Sequence, residues 1–417
     1  MSIAMVVHKL PPESLGGTEL YTISLARHLT ARGHQIAIFC PTDSDVRAIQ
    51  AEQGIIIWRE PRSRSVLPGP AGEFVRTLRD PAIEWGFRRF LVEVQPELVH
   101  VQHLQGVSIR LLRMARGVPR VLTLHDYWYF CPNSQLILPD GALCDGPRGG
   151  RSCIGCGLAR AGLSLPRTGL GGAISAVAST AFMWRYRAVR RVLGEVERFV
   201  APSAFLRQCY VAEGITPERI ALLPHGLDVE RLAPRRSAPE PPGRPHIGYL
   251  GAIAWQKGLH ILIAAFNRLP EGTYLTVYGD MTVFPEYAAQ VRALADHPGI
   301  RFAGALPPER VGDALRTLDC LVVPSLWHET FSLVAQEALG VGVPVVASRV
   351  GALPERVIDG VTGRLVPPGD VDALADALAD VVLHPERLAA YRANICPDPT
   401  MAEHAADLEA LYASLAR

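Results

Sequence analysis

The sequence predicts an α/β protein of two Rossmann-like domains that face each other across a cleft. At 417 residues the chain is too long for one typical domain, so we expect two. In each half, short apolar runs alternate with helical patterns, which is typical of a parallel sheet covered on both faces. One proline-rich segment separates the halves and is the best candidate for a domain boundary.

The first half supplies an N-terminal domain at residues 1–222. Its predicted strands are Ile3–Val7, Gln35–Phe39, Gly54–Trp58, Leu98–Val101, Arg120–Leu124, Arg198–Ala201 and Ile220–Leu223. Helices are predicted after the glycine loop at Gly16 and Gly17, at Pro81–Val94 and at Ser203–Glu213, with a loop over Pro61–Gly72. Residues 127–157 depart from this rhythm as a cysteine-rich insert.

Residues 223–245 form the predicted linker, because prolines crowd its second part and apolar residues are scarce there. The alternation restarts in a C-terminal domain at residues 246–395, and a last helix within 396–417 is expected to pack back on the N-terminal domain. The predicted strands are Ile247–Leu250, Tyr274–Tyr278, Ile300–Phe302, Cys320–Val323, Val343–Ala347 and Gly363–Val366. The predicted helices are Gly258–Leu269, Pro285–Ala295, Pro308–Leu318, Ser332–Gly340 and Asp370–Leu383.

Charge and composition exclude several classes of protein. A net charge of +1 with 20% charged residues leaves no nucleic-acid-binding footprint. The apolar start, Ser2–Val7, is the length of a strand and lacks the features of a signal peptide. The sequence contains no 18-residue apolar run, so we expect no spanning helix and a cytoplasmic protein with reduced thiols.

The stretch from Pro324 to Glu337 joins two apolar strands and carries two carboxylates eight positions apart, Glu329 and Glu337. On a continuous helix they would stand about 12 Å apart, further than the roughly 5–9.5 Å of a glycosidase pair. They are better suited to clamp an extended ligand at two points. Backbone N–H groups near Ser332, Leu333 and Val334 would open a helix between them and suit a phosphate, which together outlines a nucleotide sugar. The alternative is one loop charge and one solvated helix charge.

Several segments in order then resemble a known family. They are Gly16–Gly17, Leu223–Asp228, Gly248–Gly251 with Lys257–Gly258, Gly279–Asp280, the Glu329 to Glu337 region with Gly342–Ala347, and Asp359–Pro367. Together they resemble the retaining glycosyltransferases of family 4, with their E-x7-E motif and GT-B fold. The resemblance spans nearly the whole chain and is densest in the second half.

The resemblance implies a role for each matching residue. Glu337 would bind the ribose hydroxyls of the donor, and Glu329 a hydroxyl of the transferred sugar. Lys257 would pair with the diphosphate, together with the helix start at Ser332 and Leu333. His125 would lie near the anomeric carbon, which makes His125, Glu329 and Lys257 the predicted catalytic residues.

The glycine loop completes the predicted donor site. Gly16 and Gly17 would let backbone N–H groups approach the distal phosphate or the acceptor, because no Cβ stands in the way.

Two positions depart from the family pattern. Ala252 stands where the family usually has an arginine, five positions before Lys257, which removes one cation from the diphosphate. A substitute arginine, a weaker clamp or lost activity would each follow from this. Ser332 replaces a usual glycine, and we expect little effect because its backbone N–H remains.

Four of the eight cysteines, Cys131, Cys144, Cys153 and Cys156, fall in the insert. In a reduced compartment this spacing favours a structural zinc site over disulfides. Incidental thiols are the alternative. Four thiolates leave no open position on the metal, so such a site would not be catalytic, and we expect no catalytic metal.

Arginines 185, 187, 190 and 191 follow an apolar segment that ends at Trp184. They predict either a peripheral contact with an anionic membrane, at the inner face of the plasma membrane, or a solvated helix face.

Taken together, the residues and the resemblance imply a retaining glycosyltransferase. Its donor would be a UDP-, GDP- or ADP-sugar and its acceptor a saccharide or lipid-linked hydroxyl, in cell-envelope polysaccharide or glycolipid synthesis. The alternatives are a GT-B nucleotide-sugar epimerase and a catalytically weak nucleotide-sugar-binding protein.

Overall fold

The computed structural model describes residues 1–63, 67, 69–160, 162, 169–234, 245–396 and 398–415. The chain divides into two units. Unit 1 comprises residues 1–225 with residues 401–417, and unit 2 comprises residues 226–400. The proline-rich part of the predicted linker lies mostly outside the described residues. Among the described helices, none is long and apolar enough to cross a membrane.

Unit 1 contains an eight-stranded sheet in the order β3-β4-β2-β1-β5-β6-β7-β8. The strands are β1 (Ser2–Val6), β2 (Gln35–Thr42), β3 (Ala48–Glu52), β4 (Ile55–Pro61), β5 (Leu98–Val101), β6 (Arg120–Thr123), β7 (Arg198–Ala201) and β8 (Ile220–Leu222). All neighbours pair in parallel except β3 and β4. The apolar run of β1 is buried, as expected for a central strand of a parallel sheet.

The helices of unit 1 flank this sheet. They are α1 (Gly17–Ala31), α2 (Gly69–Leu78), α3 (Pro81–Val94), α4 (Leu111–Met114), α5 (Ile154–Arg160), α6 (Gly169–Leu193) and α7 (Ala204–Ala212). Helix α3 begins at Asp80, whose carboxylate accepts a hydrogen bond from the Ile83 N–H, with Pro81 at the first helical position. The loop predicted over Pro61–Gly72 is wrong at its end, since α2 already begins at Gly69.

The C-terminal helix of the chain belongs to unit 1. Helix α16 (Met401–Ala413) buries Met401, Ala405, Leu408 and Tyr412 in the same core cluster as β1 and α1. The buried His404 lies 2.7 Å from the Tyr21 hydroxyl of α1, measured between Nε2 and Oη. The core of unit 1 is therefore built from both ends of the sequence.

Unit 2 contains a six-stranded, wholly parallel sheet in the order β11-β10-β9-β12-β13-β14. The strands are β9 (His246–Leu250), β10 (Tyr274–Tyr278), β11 (Ile300–Gly304), β12 (Cys320–Val323), β13 (Val345–Ser348) and β14 (Gly363–Val366). The helices are α8 (Val229–Leu232), α9 (Leu259–Phe266), α10 (Pro285–Ala293), α11 (Val311–Arg316), α12 (Leu333–Gly340), α13 (Leu353–Arg356), α14 (Val371–Leu383) and α15 (Pro385–Asn394).

Local sequence explains where helix α14 begins. Asp370 caps α14 by accepting a hydrogen bond from the Ala373 N–H at 2.9 Å, which confirms its predicted place at a helix start. Apolar clusters bury β9, β10 and β12 against α9 and α14, and β12 and β13 against α12. The segments after β9 and β12 carry the predicted donor-site residues of unit 2, namely Lys257 after β9, Glu329 and Ser332 in the loop after β12, and Leu333 and Glu337 in α12.

The burial of His404 gives unit 1 a testable pH dependence. Burial lowers the pKa of His404 from 6.5 to about 4. Between these pH values His404 is protonated in the unfolded chain but neutral in the folded protein, so the free energy of unfolding falls as the pH drops below 6.5. We expect the loss from this one residue to reach about 1.4 kcal/mol per pH unit. In His404→Gln, denaturant melts between pH 7 and pH 4 should show a correspondingly shallower loss.

The exposed His384 provides the control, as His384→Gln removes a histidine without touching this core. Equal pH slopes for His404→Gln and the wild-type protein would contradict the assignment.

Candidate active site

The loop between β12 and α12 meets the loop after β9 at one point of very close backbone contact. Gly258 has φ +71°, and a Cβ at this position would lie 1.9 Å from the Pro324 carbonyl oxygen. Only glycine fits there. The Leu326 N–H also donates to the Gln256 carbonyl at 2.8 Å. These contacts fix Lys257, the residue before Gly258, beside the residues that follow Pro324.

Lys257 and Glu329 form an ion pair, with 2.7 Å between Nζ and Oε1. The same Oε1 accepts hydrogen bonds from the Ser325 hydroxyl at 2.6 Å and the Trp327 indole N–H at 3.0 Å. Burial alone would raise the pKa of Glu329, but Lys257, Ser325 and Trp327 hold it below its ordinary value. Glu329 is therefore a buried, fully ionised carboxylate at neutral pH.

A second glycine holds the other side of Glu329. Gly351 has φ +60°, and a Cβ there would lie 2.4 Å from the Glu329 backbone nitrogen and oxygen. The Ala352 N–H donates to the Glu329 carbonyl at 2.8 Å. Lys257 also lies 4.8 Å from the centre of the Trp327 ring, which favours a cation in that place.

Glu337 lies within α12, where it is buried and paired with Arg231 of α8. Burial raises the pKa of Glu337, and Arg231 opposes that effect. Arg231 also donates to the Pro308 carbonyl at 3.2 Å, and its backbone N–H donates to Asp228 at 2.9 Å. Arg231 is a cation of the site that the sequence motifs do not mark. The nearest sequence signal is the motif that ends at Asp228, three residues earlier.

The geometry between the two carboxylates differs from the continuous helix assumed above. Helix α12 begins at Leu333, so Glu329 lies in the loop before it and only Glu337 lies in the helix. Ser332 is the residue before the helix, with φ +68° and ψ +78°. The expectation of little effect at Ser332 is wrong in one respect, because this left-handed conformation is costly for any residue with a Cβ.

The remaining predicted residues lie in unit 1. His125 follows β6, with its Nε2 3.2 Å from the Gln102 amide oxygen and its ring stacked on His225 at 5.1 Å. Burial, followed by the charges of neighbouring histidines, lowers the pKa of His125 well below 6.5, so the ring is neutral.

The glycine loop lies at the start of α1. Gly16 precedes the helix and Gly17 begins it. A Cβ at Gly16 would lie 2.6 Å from a carboxylate oxygen of the buried Glu19. A side chain at this position would displace the carboxylate of Glu19, which folds back over the helix start. A phosphate at this point would share the helix start with a carboxylate.

The four cysteines of the insert are free thiols. Cys131 and Cys153 are buried, and Cys144 and Cys156 are half-buried. Within the described part of the chain, no group of three or more His, Cys, Asp or Glu side chains is already arranged to hold a metal ion. The zinc prediction stays a prediction.

Two family models match the chain. The model described as Glycosyltransferase Family 4 matches residues 15–231, and that described as Glycosyl transferases group 1 matches residues 244–384. A glycogen synthase from Mycobacterium tuberculosis is 28% identical over 400 residues, covering 92% of this chain and 87% of the relative.

Solved structures agree on the fold. The sucrose-phosphate synthase from Thermosynechococcus elongatus aligns with a TM-score of 0.72 at 20% identity, covering 99% of this chain and 98% of that one. The Anabaena protein HepE, solved with UDP and glucose, aligns with a TM-score of 0.70 at 16% identity, covering 99% and 100%. The two parallel-sheet units therefore form a GT-B fold.

The conformation of Ser332 generates a stability prediction. Ser332 makes no capping hydrogen bond through its side chain, so Ser332→Gly loses none and relieves a left-handed conformation that costs about 1–2 kcal/mol. The new glycine also destabilises the protein by roughly 0.5–1 kcal/mol, because it gives the unfolded chain more conformational freedom. We expect a net stabilisation of about 0.5–1 kcal/mol, measured by denaturant unfolding.

Ser332→Ala is the matched control, because it keeps the Cβ and the strain. Equal stability of the glycine and alanine variants would contradict the account.

Proposed function

This chain belongs to glycosyltransferase family 4, and we propose that it transfers a sugar from a nucleotide diphosphate sugar to an acceptor hydroxyl with retention of configuration. The observation that carries the proposal is the cluster of the buried Glu329 and Ser325 with the half-buried Lys257 and Trp327, in the loops before α9 and α12. It combines a cation for a diphosphate, an ionised carboxylate for sugar hydroxyls and the N-terminus of a helix. HepE, which shares the fold, was solved with UDP and glucose.

We assign the donor contacts as follows. The ammonium group of Lys257 and the N–H groups at the start of α12 bind the diphosphate. Glu329, still held by Ser325 and Trp327, then accepts a hydrogen bond from a hydroxyl of the sugar. Glu337 accepts from the ribose hydroxyls, and Arg231 opposes the rise in its pKa that burial causes.

The proposed chemistry needs no protein nucleophile. The bond from the anomeric carbon to the diphosphate oxygen breaks, and the acceptor oxygen attacks from the same face. The acceptor proton passes to the departing diphosphate. Lys257 and the helix N–H groups stabilise the charge that develops on that leaving group. His125, neutral and with its ring orientation fixed by Gln102, supports the sugar near the anomeric carbon.

The next experiment identifies the donor base, the sugar and the acceptor. UDP-, GDP- and ADP-sugars are screened by thermal shift, because a ligand selective for the folded state stabilises it. The best donor is then offered with saccharide and lipid-linked acceptors, and NMR of the product reads the anomeric configuration. Donor binding without transfer or hydrolysis would contradict the proposal, and an inverted product would contradict retention.

Substitutions in the Lys257 cluster should separate chemistry from binding. We expect Lys257→Met and Glu329→Gln each to lower kcat by about 10²–10³-fold, the usual cost of removing one charge-stabilising group. Glu337→Gln should chiefly raise the donor KM, because the ribose that Glu337 binds lies away from the bond that breaks. Steady-state kinetics with the chosen donor measure both.

The exposed Arg268, which pairs with Asp372 away from this cluster, provides the control. Arg268→Ala should keep wild-type kinetics. Wild-type kcat in Lys257→Met would remove that residue from the leaving-group role.

We further propose that unit 1 makes a peripheral contact with an anionic membrane. The exposed Trp184, Arg187 and Arg191 follow one another at helical spacing on α6, and the described residues provide no carboxylate partner for these two arginines. The prediction that Arg185 belongs to this exposed patch is wrong, because Arg185 is buried. Such a face suits a lipid-linked acceptor at the inner face of the plasma membrane.

Vesicle binding tests this contact. Each exposed arginine near an anionic surface contributes roughly 1 kcal/mol, so Arg187→Glu with Arg191→Glu should weaken binding more than tenfold. Flotation with vesicles containing phosphatidylglycerol measures it, with pure phosphatidylcholine vesicles and the exposed Arg116→Glu as controls. Equal binding of the double variant and the wild-type protein would remove this face from the membrane contact.

A further inference from the structure

The cysteine-rich insert between β6 and α6 contains little regular structure. It has an isolated bridge between Ile137 and Leu143, a 3-10 segment at Arg148–Cys153 and the short helix α5. Most of its backbone hydrogen bonds are made in turns, such as Ser134 N–H to the Cys131 carbonyl at 2.9 Å and Gly150 N–H to the Pro147 carbonyl at 2.8 Å. Its cysteines form no disulfide.

Backbone N–H groups point at two of its sulfur atoms. The Gly146 N–H donates to the Cys144 sulfur at 3.4 Å, a contact that uses the left-handed backbone of Gly146 at φ +113°. Burial raises the pKa of Cys131, while the N–H groups of residues 133, 135 and 136 favour its thiolate. N–H donors of this kind stabilise a negative sulfur, which is the form that binds metals.

Backbone contacts bring the cysteine segments of the insert together. The Cys144 N–H donates to the Leu136 carbonyl at 2.8 Å, and the Cys156 sulfur lies 3.9 Å from the carbonyl oxygen of the neighbouring Ile137. Cys153 precedes Cys156 by three residues, and Cys131 precedes Leu136 by five.

A buried cation lies beside this group. Arg185 of α6 is 2% exposed, donates to the Trp128 carbonyl at 2.8 Å and lies 4.9 Å from the centre of the Trp128 ring. In the described part of the chain no carboxylate lies within ion-pair distance of it, and Arg185 lines the same cavity as Cys156. A buried guanidinium without a negative partner is costly.

We propose that Cys131, Cys144, Cys153 and Cys156 bind one structural Zn²⁺, and that Arg185 is the counter-ion of the resulting site. Four thiolates around Zn²⁺ make a doubly negative group, which provides the partner that Arg185 otherwise lacks. The metal would then join the insert to α6. A site with four thiolates has no open position, so its role is structural.

Binding requires a defined rearrangement of two thiols. Cys144 and Cys156 now donate to the carbonyls of Gly146 at 3.6 Å and Ile137 at 3.9 Å. On binding, all four thiols release their protons to the solvent, and these two turn away from the carbonyls. Metal binding therefore competes with protons and weakens at low pH.

Metal analysis of the full chain tests the site directly. Protein purified without chelator should contain about one equivalent of zinc. After removal of zinc under reducing conditions, added Co²⁺ should produce the charge-transfer absorption of cobalt–thiolate bonds. Cys144→Ser and Cys156→Ser should lose both signals, while Cys396→Ser, at an exposed cysteine outside the insert, should keep them.

The wild-type measurements stand even where a cysteine variant fails to fold. Wild-type protein that contains no zinc and gives no cobalt–thiolate absorption after reduction would overturn the proposal. Disulfides among the four cysteines in freshly isolated protein would overturn it as well.

Arg185 has a separate test with a matched control on the same helix. Arg185→Gln should weaken zinc retention against a competing chelator about tenfold, the lower end of effects seen for groups around metal ligands. The exposed Arg187→Gln should retain zinc as the wild-type protein does. Equal retention by both variants would overturn the counter-ion role and leave the zinc site to be judged by the metal analysis alone.

Discussion

The donor half of the site depends on the contact between the Gly258 backbone and the Pro324 carbonyl. Two loops that follow neighbouring strands, β9 and β12, can meet only because Gly258 has no side chain. The meeting brings Lys257 to Glu329, and Gly351 closes on Glu329 from the other side. An ion pair between the buried Glu329 and the partly exposed Lys257 stabilises little by itself, since desolvation of the carboxylate offsets much of the attraction. Its value lies in the fixed orientation of two charges that a ligand can then use.

Much of the fold follows from the sequence. Buried parallel strands such as β12 are continuous apolar runs, and these are the clearest signals in the chain. The sequence does not mark strand β3, because it pairs at the edge of the sheet, is short and has no buried apolar face. Helix α2 was missed because Gly69 and Pro70 resemble loop residues, although proline is well tolerated in a first helical turn.

The site shows a different limit. Lys257, Glu329 and Glu337 were found because short motifs mark them, but the sequence could not show which residues stand beside them. Arg231 meets Glu337 from 106 positions away, a pairing that depends on how α8 and α12 pack. The departure at Ala252 remains a real difference from the family pattern; its carbonyl accepts the Tyr249 hydroxyl at 2.7 Å. At Ser332 the sequence shows which residue departs from the family pattern, but only the structure shows that its left-handed backbone conformation destabilises the protein.

The placement of α16 in unit 1 affects the order in which the protein can form. The first 225 residues leave the ribosome long before the helix that completes their core. Until Met401–Ala413 has been made, the apolar residues that later cover α1 are missing, while unit 2 is already a continuous segment that can fold by itself. We expect the nascent first segment to depend on chaperones, and unit 1 to become fully stable only after unit 2 has been synthesised.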